Sequence, residues 1–115
     1  MRMKFKIGQV IHHKLFNYRG VIYGVDEVFK GTDEWYDFVA KSKPPKDKPW
    51  YHVLVHNKEH MTYVAERNLQ PDYTNKIINH PMVPAYFTEI TDGIYQRTLN
   101  WAGDNPIPFD NIGIA

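Results

Sequence analysis

The sequence predicts a mainly all-β domain: a small, closed or nearly closed barrel of about five short strands, with short helices in two insertions and a C-terminal extension. Three observations point there. Aromatic residues reach 15% and gather with β-branched residues in short runs, as half-buried strands favour. Eight Pro and seven Gly punctuate those runs with turns. No stretch holds a helical period long enough for a bundle. With 115 residues and 43% hydrophobic content, the chain suits one domain with one core.

Ile7 to His13 reads as the first strand, reached through Gly8, and Asn17-Tyr18-Arg19-Gly20 as the turn after it, because Asn and Gly tolerate left-handed backbone. Val21 to Asp26 is the second strand, with Gly24 marking a bend or bulge. Thr32 or Asp33 caps a short helix that turns Trp35, Phe38 and Val39 to one face at i, i+3, i+4 spacing. Ser42 to Pro49 follows as a lysine-rich polar loop that Pro44-Pro45 holds extended.

Trp50 to His56 is the clearest strand, and Asn57 to His60 turns it into Met61 to Val64 as a hairpin. Ala65 to Leu69 is a short helical turn that ends at Pro71. A helix starts near Pro81 and points Met82, Tyr86 and Phe87 inward, and Asp92-Gly93 leads into a short strand at Ile94-Tyr95. From Asn100 onward neither period is present. Residues 1–97 therefore form the domain with its extension, and 98–115 an irregular tail.

The net charge of +1 names no partner, but its distribution is uneven. Residues 1–60 carry eleven Lys/Arg against seven Asp/Glu, and residues 61–115 carry three against six. An anionic partner is to be sought in the basic half. Cysteine is absent, which excludes disulfides, a thiolate zinc site and a cysteine nucleophile. No run approaches the ~18 apolar residues of a membrane span, and the start lacks a signal peptide's apolar stretch. A cytoplasmic, non-membrane location is the expectation.

His52, His56 and His60 recur every fourth residue, a spacing that on a helix would pair ligands. On a strand, however, His52 and His56 lie ~13 Å apart, too far to share one ion. No metal site is expected, and without a phosphate-cradling glycine loop no cofactor either. The acids Asp26, Glu27, Asp33, Glu34 and Asp37 read as a solvated face rather than a catalytic pair, so no enzyme is expected. What remains is basic residues among aromatics, the combination that neutralises phosphates and stacks on bases.

The segments Phe5-Lys6-Ile7-Gly8-Gln9-Val10 with His13, Tyr18-Arg19-Gly20-Val21-Ile22, Pro49-Trp50-Tyr51-His52-Val53-Leu54-Val55 and Thr62-Tyr63-Val64-Ala65-Glu66-Arg67-Asn68-Leu69 resemble, in order and spacing, the hemimethylated-DNA-binding YccV-like family, also called the HspQ heat-shock family. The likeness covers about residues 3–97. It implies an SH3-like barrel, DNA (hemimethylated DNA in particular) as a partner, self-association, and a second role as adaptor for an ATP-dependent Lon-type protease.

On the first reading Lys14, Arg19, Lys41, Lys43, Lys46 and Lys48 contact phosphate, with His13 or Tyr18 near a base. On the adaptor reading Trp101, Ile107, Phe109 and Ile112 contact the partner. The first requires that the turn near residues 14–19 and the loop 41–48 lie at the same end of the barrel.

Overall fold

A computed structural model of the chain describes residues 3–98. Seven strands form two antiparallel sheets: β1 (Val10–His13), β2 (Arg19–Asp26), β3 (Trp50–Val55), β4 (Met61–Ala65) and β5 (Leu69–Pro71) in one, β6 (Phe87–Thr91) and β7 (Ile94–Arg97) in the other. The larger sheet has the order β4-β3-β2-β1-β5, a meander whose last strand returns beside the first. That order agrees with the SH3-like expectation. Closure does not: among the described residues no ladder joins β4 to β5, and a 3-10 turn at Glu66–Asn68 carries the chain between them.

The first strand is shorter than its apolar run suggests, because Gly8 makes another connection. Its φ is +92°, its N–H donates to the Ile22 carbonyl at 2.7 Å, and its carbonyl accepts from Tyr95 at 2.9 Å. A Cβ there would stand 2.1 Å from the Tyr95 carbonyl oxygen. Gly8 thus docks the small sheet against the large one. The turn into β2 has its left-handed residue at Asn17 (φ 54°), while Gly20 lies within β2 instead of the turn. The bulge falls at Gly24, where the β2–β3 register shifts between Ile22 and Gly24.

Helix α1 (Asp33–Val39) starts at Thr32, whose side chain accepts from the Trp35 N–H at 3.1 Å. Its inner face is Trp35, Tyr36 and Val39; Phe38, expected inward, is 75% exposed. The α1 face closes over Trp50, Tyr63 and Ala65, with the Phe29 ring packed beside those of both Trp35 and Trp50. Every residue of β3 is buried, since Tyr51 and Val53 fill the barrel interior while Trp50 lies under α1. Trp50, Val53, Val55, Tyr63 and Leu69 from the family-like segments are all core.

Beyond Pro71, an edge-strand residue that tolerates losing an N–H, the chain wraps the outside of β1–β3. Ile78, Tyr86, Phe87 and Tyr95 pack on Val10, Val21, Tyr23 and Leu54 as a second core. The expected helix near Pro81 is a single turn, α2 (Val83–Tyr86), and Phe87 already begins β6. Asp92 (φ 52°) and Gly93 (φ 79°) form the two-residue hairpin loop that right-twisted strands prefer. No helix among the described residues is long and apolar enough to cross a membrane.

Candidate nucleic-acid interface

The 3-10 turn is the hub of the basic surface. The Asn68 carbonyl accepts from the Lys14 N–H at 2.8 Å, and its side-chain amide donates to the Ser42 hydroxyl at 3.2 Å. Beside it, Arg67 Nη2 donates to the Ser42 carbonyl at 2.6 Å. The β1–β2 turn and the lysine loop therefore meet at one end of the barrel, with Lys14, Lys41 and Lys43 all exposed around the junction. Next to it lies a depression of about 330 Å³ lined by Lys4, Pro45, Lys48, Ala65, Glu66 and Arg67. Sequence reasoning did not single out Lys4 and Arg67, although both lie in the segments that carry the family resemblance or directly precede them.

The loop is pinned and not a free polar excursion. Tyr36 donates to the Pro44 carbonyl at 2.6 Å, Trp50 Nε1 to that of Pro45 at 3.0 Å, and the Phe29 N–H to that of Lys46 at 2.9 Å. Pro44 is fully buried while Lys41, Lys43, Lys46 and Lys48 stay exposed. Apolar anchoring thus presents a row of cations from a fixed backbone.

Acids of α1 hold two of those cations. Lys43 meets Asp37 at 3.4 Å, and Lys46 meets Asp33 at 2.9 Å while its ammonium lies 4.3 Å from the Tyr36 ring centroid. The hydrogen bond to Asp33 raises the Lys46 pKa above its ordinary value. These pairs are exposed and weak, so a phosphate competes with them easily. Among the described residues no ion pair engages Lys14, Lys41 or Lys48.

Other sequence candidates fall elsewhere. Arg19 turns away to Asp72 at 3.1 Å and to the Lys76 carbonyl, with its side chain 16% and that of Asp72 6% exposed. Burial opposes ionisation of Asp72, but hydrogen bonds from Arg19 and Thr74 and the guanidinium charge hold its pKa below the usual range. His13 is buried. Its Nδ1 accepts from the N–H groups of Leu15 and Phe16, so it braces the turn. Tyr18 is half-buried, donating to or accepting from Thr62 at 2.8 Å, and lines an apolar groove of about 570 Å³ with Phe16, Asn17, Val55, Lys58, His60 and Thr62. Trp101, Ile107, Phe109 and Ile112 lie outside the described residues.

Trp50, Tyr51 and Tyr63 are all 0% exposed and belong to the core. Exposed rings come from Phe16, Phe38 and Tyr73 instead. The repeating histidines diverge as well. His52 bonds Asp26 at 3.2 Å, His56 Nδ1 accepts from the Asn79 N–H at 2.8 Å, and the His60 carbonyl meets His80 Nε2 at 3.0 Å. No cluster of three metal-ligating side chains occurs among the described residues.

A family model described as "Hemimethylated DNA-binding protein YccV like" matches residues 3–94.

Proposed function

The chain belongs to the hemimethylated DNA-binding YccV-like family, and from that premise we propose that it binds duplex DNA through the basic rim around its 3-10 turn. The observation that carries this reading is the convergence of Lys14 with the 41–48 loop at Asn68. Lys14, Lys41, Lys43, Lys46 and Lys48 take phosphates, and the reading includes no catalytic step. Arg19 and His13 serve the fold.

A hemimethylated and an unmethylated duplex differ by one methyl group in the major groove, and reading it requires a small apolar contact. Phe16, 45% exposed and two residues from Lys14, is placed for that contact, with Tyr18 and Val55 behind it in the groove. The protein offers no basic recognition helix, so the preference is modest.

Fluorescence anisotropy with one duplex in unmethylated, hemimethylated and fully methylated forms tests the proposal. Binding to all three at low salt is expected, tightest for the hemimethylated form. Changing Lys41, Lys43, Lys46 and Lys48 to Gln should weaken all three alike, whereas Phe16→Ala should remove the preference. Absence of binding at low salt, or an unchanged affinity in the four-lysine variant, overturns it.

A further inference from the structure

We infer that the depression between Lys4, Lys48 and Arg67 is a seat for one phosphate group. The inference deepens the DNA-binding reading and rests on it only for the source of the phosphate.

Three cations reach this hollow from three separate segments: the chain before β1, the lysine loop, and the 3-10 turn. Like charges brought together repel unless something offsets them. Among the described residues, no carboxylate lies within ion-pair distance of any of the three. The one acid in the lining is Glu66, whose Oε2 already accepts from the Tyr51 hydroxyl at 2.6 Å and the Lys4 N–H at 2.9 Å. Burial, followed by the contact with Glu66, pushes the Tyr51 pKa up, so the hydroxyl remains a donor at ordinary pH. Glu66 is therefore fixed as a tie between the chain start and the 3-10 turn, and the hollow keeps an excess of positive charge.

Arg67 spends one nitrogen on the Ser42 carbonyl, which anchors the guanidinium. The fork has five N–H donors in all, and its planar geometry matches phosphate oxygens. The depression, about 330 Å³, has room for a phosphate and its nearest waters. Lys14, Lys41 and Lys43 continue the positive surface past the junction at Ser42, along which a nucleic-acid strand runs on to its next phosphates.

The test uses the isotope-labelled full chain in two arms. In the first, inorganic phosphate is titrated while backbone amide shifts are followed. Saturable shifts clustered at Lys4, Lys48 and Ala65–Arg67 support the seat. In the second, the salt dependence of duplex binding is measured for Lys48→Gln and Arg67→Gln, with the fold checked by the same spectra. Each should lower the log-log slope by about one unit. Loss of slope in this arm supports a backbone phosphodiester in the seat, whatever the first arm gives. Clustered phosphate shifts with an unchanged slope assign it to a free phosphate and overturn the backbone source. Clustered shifts without any duplex binding keep the seat and sink the DNA reading. Scattered, non-saturating shifts together with an unchanged slope overturn the seat itself.

Discussion

The side-chain amide of Asn68 donates to the Ser42 hydroxyl at 3.2 Å, fastening a loop to a turn 26 residues away. Asn68 is 6% exposed, and its carbonyl also receives the Lys14 N–H. Replacing it with Ala deletes a buried hydrogen bond worth about 1 kcal/mol. A melting temperature lower by about 5 °C is expected for a domain of this size. Duplex affinity should fall too, although no charge has been removed, because the lysine loop loses its register with Lys14. A normal affinity in a destabilised Asn68→Ala protein would separate the junction from binding.

A second cluster controls stability away from the basic rim. The Tyr63 hydroxyl donates to Asp26 at 2.6 Å and accepts the Lys30 N–H at 3.0 Å, while His52 bonds the same carboxylate oxygen at 3.2 Å. Tyr63→Phe leaves a carboxylate and an amide each short of a partner, at a cost of about 2–3 kcal/mol. Urea unfolding should show the loss as a lower midpoint with an unchanged slope.

The same carboxylate sets an acid limit. Burial works to raise the Asp26 pKa, but hydrogen bonds from His52 and Tyr63 and the nearby charges of His52 and Lys30 outweigh it, so its value lies below the ordinary range. Asp72 behaves likewise beside Arg19. A carboxyl group depressed in the native state contributes stability above its unfolded value near ~4, and loses it as the pH falls through the native value. Stability should therefore decline below about pH 4. Asp26→Asn, less stable at pH 7, should show a shallower decline in melts run across that range.

Gly8 makes a sharper prediction about architecture. Its left-handed backbone and the 2.1 Å approach of the Tyr95 carbonyl to a Cβ position leave no room for Ala. Gly8→Ala should cost about 2 kcal/mol or more. The loss should concentrate in the β6–β7 hairpin, read as faster hydrogen exchange at Ile94–Arg97 with β2 and β3 still protected.

These positions show what a linear reading reaches. Trp50 to Val55 was legible because a β-branched and aromatic run needs no outside help to be a strand, and Gly24 because glycine inside such a run marks a bulge. The inward face of α1 was not: 3.6-residue spacing favoured Phe38, but Tyr36 wins because its hydroxyl finds the Pro44 carbonyl across the loop. β5 has three residues and ends in Pro71, too short for any period, and exists because β1 offers it an edge. β6 was readable in part, since Asp92-Gly93 is a hairpin signal whose upstream strand the helix-like Val83-Pro84-Ala85-Tyr86 run obscured.

For the basic surface, the lysine loop was evident from composition, and so was the basic excess of residues 1–60. The pairing of Arg19 with Asp72 was not legible, because the two lie 53 residues apart. Arg67 stayed hidden in a core-like segment for the same reason: its place beside Lys4 and Lys48 follows from Ser42, 25 residues earlier. Pairings that distant leave no local trace in sequence.

The salt dependence of duplex binding by the unmodified chain tests the central claim most directly. If Lys14, Lys41, Lys43 and Lys46 each neutralise a phosphate and Lys4, Lys48 and Arg67 share a fifth, log affinity should fall against log salt with a slope of about −4.5. Between ~50 and ~200 mM salt the affinity should drop on the order of a thousandfold. A slope near zero, or no measurable binding at the lower salt concentration, would contradict the account.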